Sequence, residues 1–244
     1  MACPAFRVRK MRKLTPRSYE QDIRDYPVYT VPEAARYVGM SRRTLYSWLS
    51  DNPLWDTAGA DYSVRLLSFK DLAQSHFIEF IRHHAKISAK KSREILKYAK
   101  LETNSPYPLL EANIKVLLGH ILLDKPARNR IPRHVVDLSH HRQLMIGEVV
   151  DLYATRIKRN TKGELERLYP WRFWNREENA RKPVTIDPNI MSGSLVVTGT
   201  RIPVDVLLNR KRAGESVPEL AKDYGLTEEA VNDALRHLAL RKAA

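Results

Sequence analysis

Hydrophobic and polar positions along this chain fall into one pattern that occurs twice, 186 residues apart: TVPEAARYVGMSRRTLYSWL from Thr30 and SVPELAKDYGLTEEAVNDAL from Ser216. Each copy opens with a Ser or Thr before Val-Pro-Glu. Thr30 and Ser216 are therefore predicted helix caps, with Glu33 and Glu219 reaching back to complete a capping box. Pro32 and Pro218 fall in the first turn, where a missing amide hydrogen is harmless. Ala35 and Ala221 are small enough for a second helix to approach. Four residues later Gly39 and Gly225 supply the left-handed angle of a tight turn. Leu45 and Val231 then fill the angle between the helices, behind the predicted caps Ser41 and Thr227. The pattern predicts a helix-turn-helix near each end of the chain.

Weaker patterns lie around these two. Val64, Leu66 and Leu67 predict a short strand, and Ser68 with Asp71 a helix start, so that a strand pair would form a wing carrying Arg65. Residues 87–100 read as a basic helix covering the domain. Residues 114–123 and 131–138 read as β-branched strands, 143–153 as a short helix, and Thr161-Lys162-Gly163 as a hairpin turn. The aromatic run 169–174 is predicted as a plug between layers. In the last segment Val184–Ile186 predicts a strand, and 196–197 with 202–204 a hairpin. Pro203 predicts that its second arm is an edge or an exchanged strand; a helix follows over 207–212. The fold class is mainly α with small β elements, α+β. The predicted divisions are a basic arm (1–28), a winged helix (29–103), an α+β connecting segment (104–174), a linker (175–183) and a helix-turn-helix and dimerisation domain (184–244).

Charge gives these elements different tasks. The net charge is +14, and residues 184–244 carry eight basic and eight acidic side chains, so the whole surplus lies within residues 1–183. Such a surplus attracts polyanions by counterion release, which makes nucleic acid the expected partner. Ser41, Arg42, Arg43, Thr44, Tyr46 and Ser47 are the residues expected to meet DNA, on or beside the face opposite Leu45, Trp48 and Leu49 that would enter a major groove. Arg65 and the arm Arg7–Arg17 are the expected phosphate contacts. In the second copy Glu228 and Glu229 stand where Arg42 and Arg43 do, and would repel phosphate. That copy is expected to pack on protein, with Asn232, Arg236 and His237 keeping a weaker DNA role open.

The remaining chemistry narrows the class. No apolar run reaches membrane-spanning length, no signal peptide is visible, and the single Cys3 fits a reducing cytoplasm. The pairs His83-His84 and His140-His141 each split across helix faces, so no metal site and no cofactor is expected. No nucleophile elbow or phosphate-cradling loop is present, and the chain is not expected to be an enzyme.

Two resemblances sharpen the expectation. From Tyr29 to about Glu102, the YT-x-x-EAA opening and the winged arrangement resemble a MerR-type DNA-binding domain. This implies dimeric DNA binding through Arg42, Arg43, Tyr46 and Arg65; paired sensing cysteines are absent. From Thr185 to about Leu240 the DP-x-I…GTRIPV…AG-x-S-x-x-E-L-A pattern resembles a domain of unknown function that occurs in VapB-type antitoxins. Gly199, Thr200, Arg201, Pro203 and Val204 carry that motif. Their expected role is structural, with Arg201 tying the turn to neighbouring acceptors; contact with a toxin is the alternative. Together the resemblances imply a homodimeric, autorepressing antitoxin that binds operator DNA and a PIN-like ribonuclease toxin. The alternative is a stand-alone MerR-like regulator.

Overall fold

The computed structural model describes residues 22–49, 65–84, 88–103, 105–111, 151–170 and 181–239. The fold is α+β: helices carry most of it, joined by small antiparallel strand pairs.

Strand β1 (Tyr29–Thr30) runs straight into α1 (Val31–Val38). The Thr30 hydroxyl accepts from the Glu33 amide at 3.3 Å. Glu33 does not return the bond, because its carboxylate accepts from the Tyr37 hydroxyl at 3.1 Å; the first capping box is half made. Gly39 ends the helix at φ 76°, and α2 (Arg42–Leu49) follows. Strand β2 (Leu66–Leu67) pairs antiparallel with β1, Tyr29 opposite Leu67 and Thr30 opposite Leu66. The segment after α2 thus returns to the strand ahead of α1, while the region of the predicted wing tip lies outside the described residues.

Helix α3 (Phe69–His84) starts on a reciprocal cap, the Ser68 amide donating to Asp71 at 2.8 Å and the Asp71 amide to Ser68 at 3.1 Å. It is buried on nearly every side from Phe69 to Ile81 and forms the spine of the molecule. Helix α4 (Ala89–Thr103) lies beside it.

The predicted hairpin about Gly163 is present as β3 (Ile157–Arg159) and β4 (Leu165–Leu168), with a register shift at Lys158 and Arg159. The Asn160 side chain accepts from the amides of Lys162 and Glu164 and closes the turn. The predicted strands at 114–123 and 131–138, the arm Arg7–Arg17 and the aromatics Trp171 to Trp174 lie outside the described residues.

At the C-terminal end β5 (Val184–Thr185) pairs with β6 (Val196–Val197). Leu168 and Ile186 exchange both backbone hydrogen bonds, at 3.0 and 2.8 Å, and join β4 to the β5 segment. The segment around Pro203 folds back on its own hairpin, the Val197 amide donating to Ile202 at 3.0 Å and the Val204 amide to Leu195 at 2.9 Å. The pairing that Pro203 left to an exchanged strand is met within the chain. Helix α5 (Val204–Arg212) starts three residues earlier than predicted, because Pro203 at φ −65° is already suited to precede it. Helices α6 (Val217–Tyr224) and α7 (Glu228–Ala239) form the second helix-turn-helix. Here the capping box of Ser216 and Glu219 is complete, and Gly225 takes φ 63°.

A single cluster of buried side chains runs from Tyr29 through Tyr153 to Leu238. The two helix-turn-helix units therefore share one core, a physical necessity when neither short segment can bury enough apolar surface alone. Tyr29 donates from its hydroxyl to the Gly193 carbonyl at 2.9 Å, and His237 donates from Nε2 to the Tyr37 carbonyl at 3.0 Å. Arg36 of α1 forks onto the Asp205 carboxylate of α5. Within the predicted linker, Arg156 donates to the Arg181 carbonyl at 2.6 Å and the Thr198 amide to that of Pro183 at 3.0 Å; 175–180 lie outside the described residues.

Candidate nucleic-acid interface

Helix α2 owes its orientation to three apolar residues. Leu45, Trp48 and Leu49 are all at most 1% exposed, and their spacing fixes which face looks outward. Arg42, Arg43, Tyr46 and Ser47 are left exposed, Tyr46 at 47%. Arg42 and Arg43 stand in the first turn of the helix, and neither makes an ion pair with a described residue.

Ser41 and Thr44 are placed differently from the other residues of this set. The Ser41 Oγ accepts from the Thr44 amide at 2.9 Å and lies 2.6 Å from the Thr44 Oγ1. Both hydroxyls serve the cap and are half-buried. Ser47, though exposed, donates back to the Thr44 carbonyl at 2.8 Å. Arg65 is half-buried immediately ahead of β2, on the chain that leads into the β1 pair.

Two residues outside the sequence-derived set hold α2 in place. Arg93 of α4 donates to the Ser47 carbonyl at 3.0 Å, satisfying an acceptor in the last turns of α2 and placing a cation at the negative end of its dipole. The Arg82 guanidinium lies over the Trp48 ring, 5.6 Å from its centroid, and pairs with Glu79 at 2.9 Å. No spacing rule links residues 46 or 34 positions apart, so only the tertiary fold reveals them.

The second helix-turn-helix offers a different surface. Glu229 is held by Arg181, which also pairs with Asp233 at 3.2 Å. Glu228 and Asn232 are exposed, as is Arg236. His237 was expected among the outward residues, but it is wholly buried against α1. It follows Ala234 by three positions and so shares that residue's inward face.

Around the GTRIPV motif, Gly199 turns the chain at φ 80°. Thr200 ties that turn, donating to the Val197 carbonyl at 2.9 Å and accepting from the Ile202 amide at 3.0 Å. Val204 is fully buried at the start of α5. The tie expected of Arg201 is thus made by Thr200, whose short side chain reaches both backbone groups; Arg201 is exposed and makes no ion pair with a described residue.

Burial shapes the electrostatics of the shared core. Desolvation holds the His76 imidazole down at about 3, with Arg156 and His237 adding repulsion, so this wholly buried ring is neutral. Desolvation likewise lowers Arg156 to about 10, leaving it charged at neutral pH. Burial pushes the Tyr29 hydroxyl up, keeping it a donor for Gly193. Among the described residues no group of three or more His, Cys, Asp or Glu side chains could hold a metal ion, and no helix is long and apolar enough to cross a membrane.

These features define an α+β protein with two helix-turn-helix units on one core, one whose Arg42 and Arg43 make no ion pair with a described residue and the other with Glu229 held by Arg181. Its C-terminal part, residues 184–237, matches the family model described as "Protein of unknown function (DUF433)". Among solved structures, the X-ray crystal structure of Rv2018 from Mycobacterium tuberculosis shares the fold, with a TM-score of 0.62 at 20% identity, covering 86% of this chain and 98% of that one. No curated protein matches the sequence.

Proposed function

We propose that this chain is a duplex-DNA-binding regulator that works as the antitoxin of a toxin–antitoxin pair, repressing its own operon as a dimer. The observation that carries the DNA-binding part is the exposed face of α2. Arg42 and Arg43 are free of ion pairs with described residues and stand on a helix braced from behind by Trp48 and Arg93. An outward, rigid, cationic second helix is what major-groove reading needs. Glu228 and Glu229 deny the second unit that role and leave it to protein contacts. A PIN-like ribonuclease as the neutralised partner rests on the resemblance of the GTRIPV segment to VapB-type antitoxins. A dimer would present two α2 helices to two half-sites.

The test is to select duplexes bound by the protein from a random pool and measure their affinity by fluorescence anisotropy. Replacing Arg42 and Arg43 by Ala should weaken binding by about 1–3 kcal/mol per lost base contact and relax the selected sequence. An unchanged affinity for the selected duplex would dismiss α2 as the reading helix. The antitoxin part is tested separately, by asking whether the product of the adjacent gene co-purifies and loses ribonuclease activity in the complex.

A further inference from the structure

Away from α2, a cleft of about 280 Å³ opens where the β4 end, the β5 segment and the Gly199 turn meet. Arg167 and Arg201 line it together with Tyr169, Thr198 and Thr200, and among the described residues no acidic side chain does. Arg167 is held from behind: its Nε donates to Asp187 at 2.7 Å, and Glu166 lies 3.5 Å from its Nη2. Asp187 is itself buried and fixed by the Asn189 amide at 2.9 Å. A guanidinium has five N–H donors, more than these two carboxylates and the Tyr169 side chain engage. Arg201, across the cleft, is exposed with its charge unopposed by any described residue. Thr200 is occupied in tying the turn, which keeps the backbone beneath Arg201 rigid. Tyr169 also lines the cleft, its side chain hydrogen-bonded to Arg167 and its ring lying under the Lys182 ammonium at 4.8 Å.

We propose that this cleft is the docking pocket for an acidic side chain of the protein partner, received between Arg167 and Arg201. The inference deepens the reading above by naming how a partner is held, and it rests on that reading only for the source of the carboxylate. A planar carboxylate matches a guanidinium fork. The volume is at the lower limit of ligand sites and fits one side chain rather than a cofactor. A duplex phosphate, flanked by bulky sugars on a convex rail, is a poorer match to a narrow concavity.

The test uses the full chain, isotopically labelled, titrated with a capped Gly-Gly-Glu-Gly-Gly peptide and with its Gln counterpart. The amides of Thr198 to Arg201 should shift saturably with the Glu peptide, about tenfold tighter than with the Gln peptide. Arg201→Gln should abolish that preference, Arg201→Lys should keep part of it, and Arg212→Gln on exposed α5 should leave it intact. Equal response to the two peptides, or a preference that survives Arg201→Gln, would overturn the proposal. So would a selected DNA duplex that shifts the same amides in an Arg201-dependent way, since the cleft would then be a phosphate contact. Because the peptide arms do not involve Arg42 or Arg43, the pocket and the DNA-reading face can fail independently.

Discussion

Three consecutive residues in left-handed backbone, Met191, Ser192 and Gly193 at φ 48°, 54° and 81°, sit at the foot of the C-terminal segment. They are pinned by a side chain from the far end of the chain, the Tyr29 hydroxyl on the Gly193 carbonyl. Tyr29→Phe removes that bond and leaves a buried acceptor, at a cost of about 1–3 kcal/mol. Gly193→Ala adds a Cβ only 2.2 Å from the Tyr29 hydroxyl, with the ring Cζ next at 3.1 Å. It combines about 1–2 kcal/mol for an L-residue in this region with overpacking of about 1–3 kcal/mol. The two changes should not add. With Ala at 193 the hydroxyl is already displaced, and with Phe at 29 the closest clash is gone. The double variant should therefore be more stable than the sum of the singles predicts, by about 1–3 kcal/mol. Urea unfolding followed by tryptophan fluorescence and far-UV circular dichroism measures this, and both probes should share one midpoint because the core is shared. Additive losses, or separate transitions for the two probes, would refute the argument that the chain's ends form one cooperative unit.

Further outcomes follow from other parts of the structure. Losing Arg42 and Arg43 should weaken duplex binding without lowering the urea midpoint, since neither makes an ion pair with a described residue. Replacing Glu228 and Glu229 by Ala should leave duplex affinity within about twofold and cost at most about 1 kcal/mol of stability, the worth of an exposed ion pair such as Glu229 with Arg181; a large loss of DNA binding would reassign the second helix. His76 is held neutral by burial, its folded value of about 3 lying below the unfolded 6.5. Acid therefore favours the unfolded chain, whose ring takes up a proton first. Its contribution is intact above about pH 6.5 and declines by up to about 1.4 kcal/mol per pH unit toward pH 3. Urea midpoints at pH 7 and 5 should converge in His76→Gln relative to the parent, and an unchanged pH slope would contradict the assignment.

The local devices were legible in the sequence because each joins residues a few positions apart. Thr30, Ser41, Ser68, Ser216 and Thr227 all cap as their neighbours imply, and Gly39 and Gly225 turn where the repeat places them. The outward set on α2 follows from the burial of Leu45, Trp48 and Leu49 at helical spacing. What the sequence did not reveal were contacts whose partners carry no mutual signature. Arg36 with Asp205, Tyr29 with Gly193 and His237 with Tyr37 each span more than 160 positions. Glu33 is a different case, a choice between two local partners: the cap pattern assigned it to Thr30, and Tyr37, one helical turn on, captures it instead. Arg201 is another local case, since the tie expected of it is made by the threonine one position earlier.

The hydrogen-bonded seam between Leu168 and Ile186 has a consequence for how such a tail can exist at all. Severed from the β3–β4 hairpin, the last sixty or so residues would leave the amide and carbonyl of the buried Ile186 without the Leu168 groups that receive them. A chain cut to this tail would need water or another backbone segment at that one position. Here the hairpin supplies that partner covalently, so the two ends of the exchange can never dilute apart.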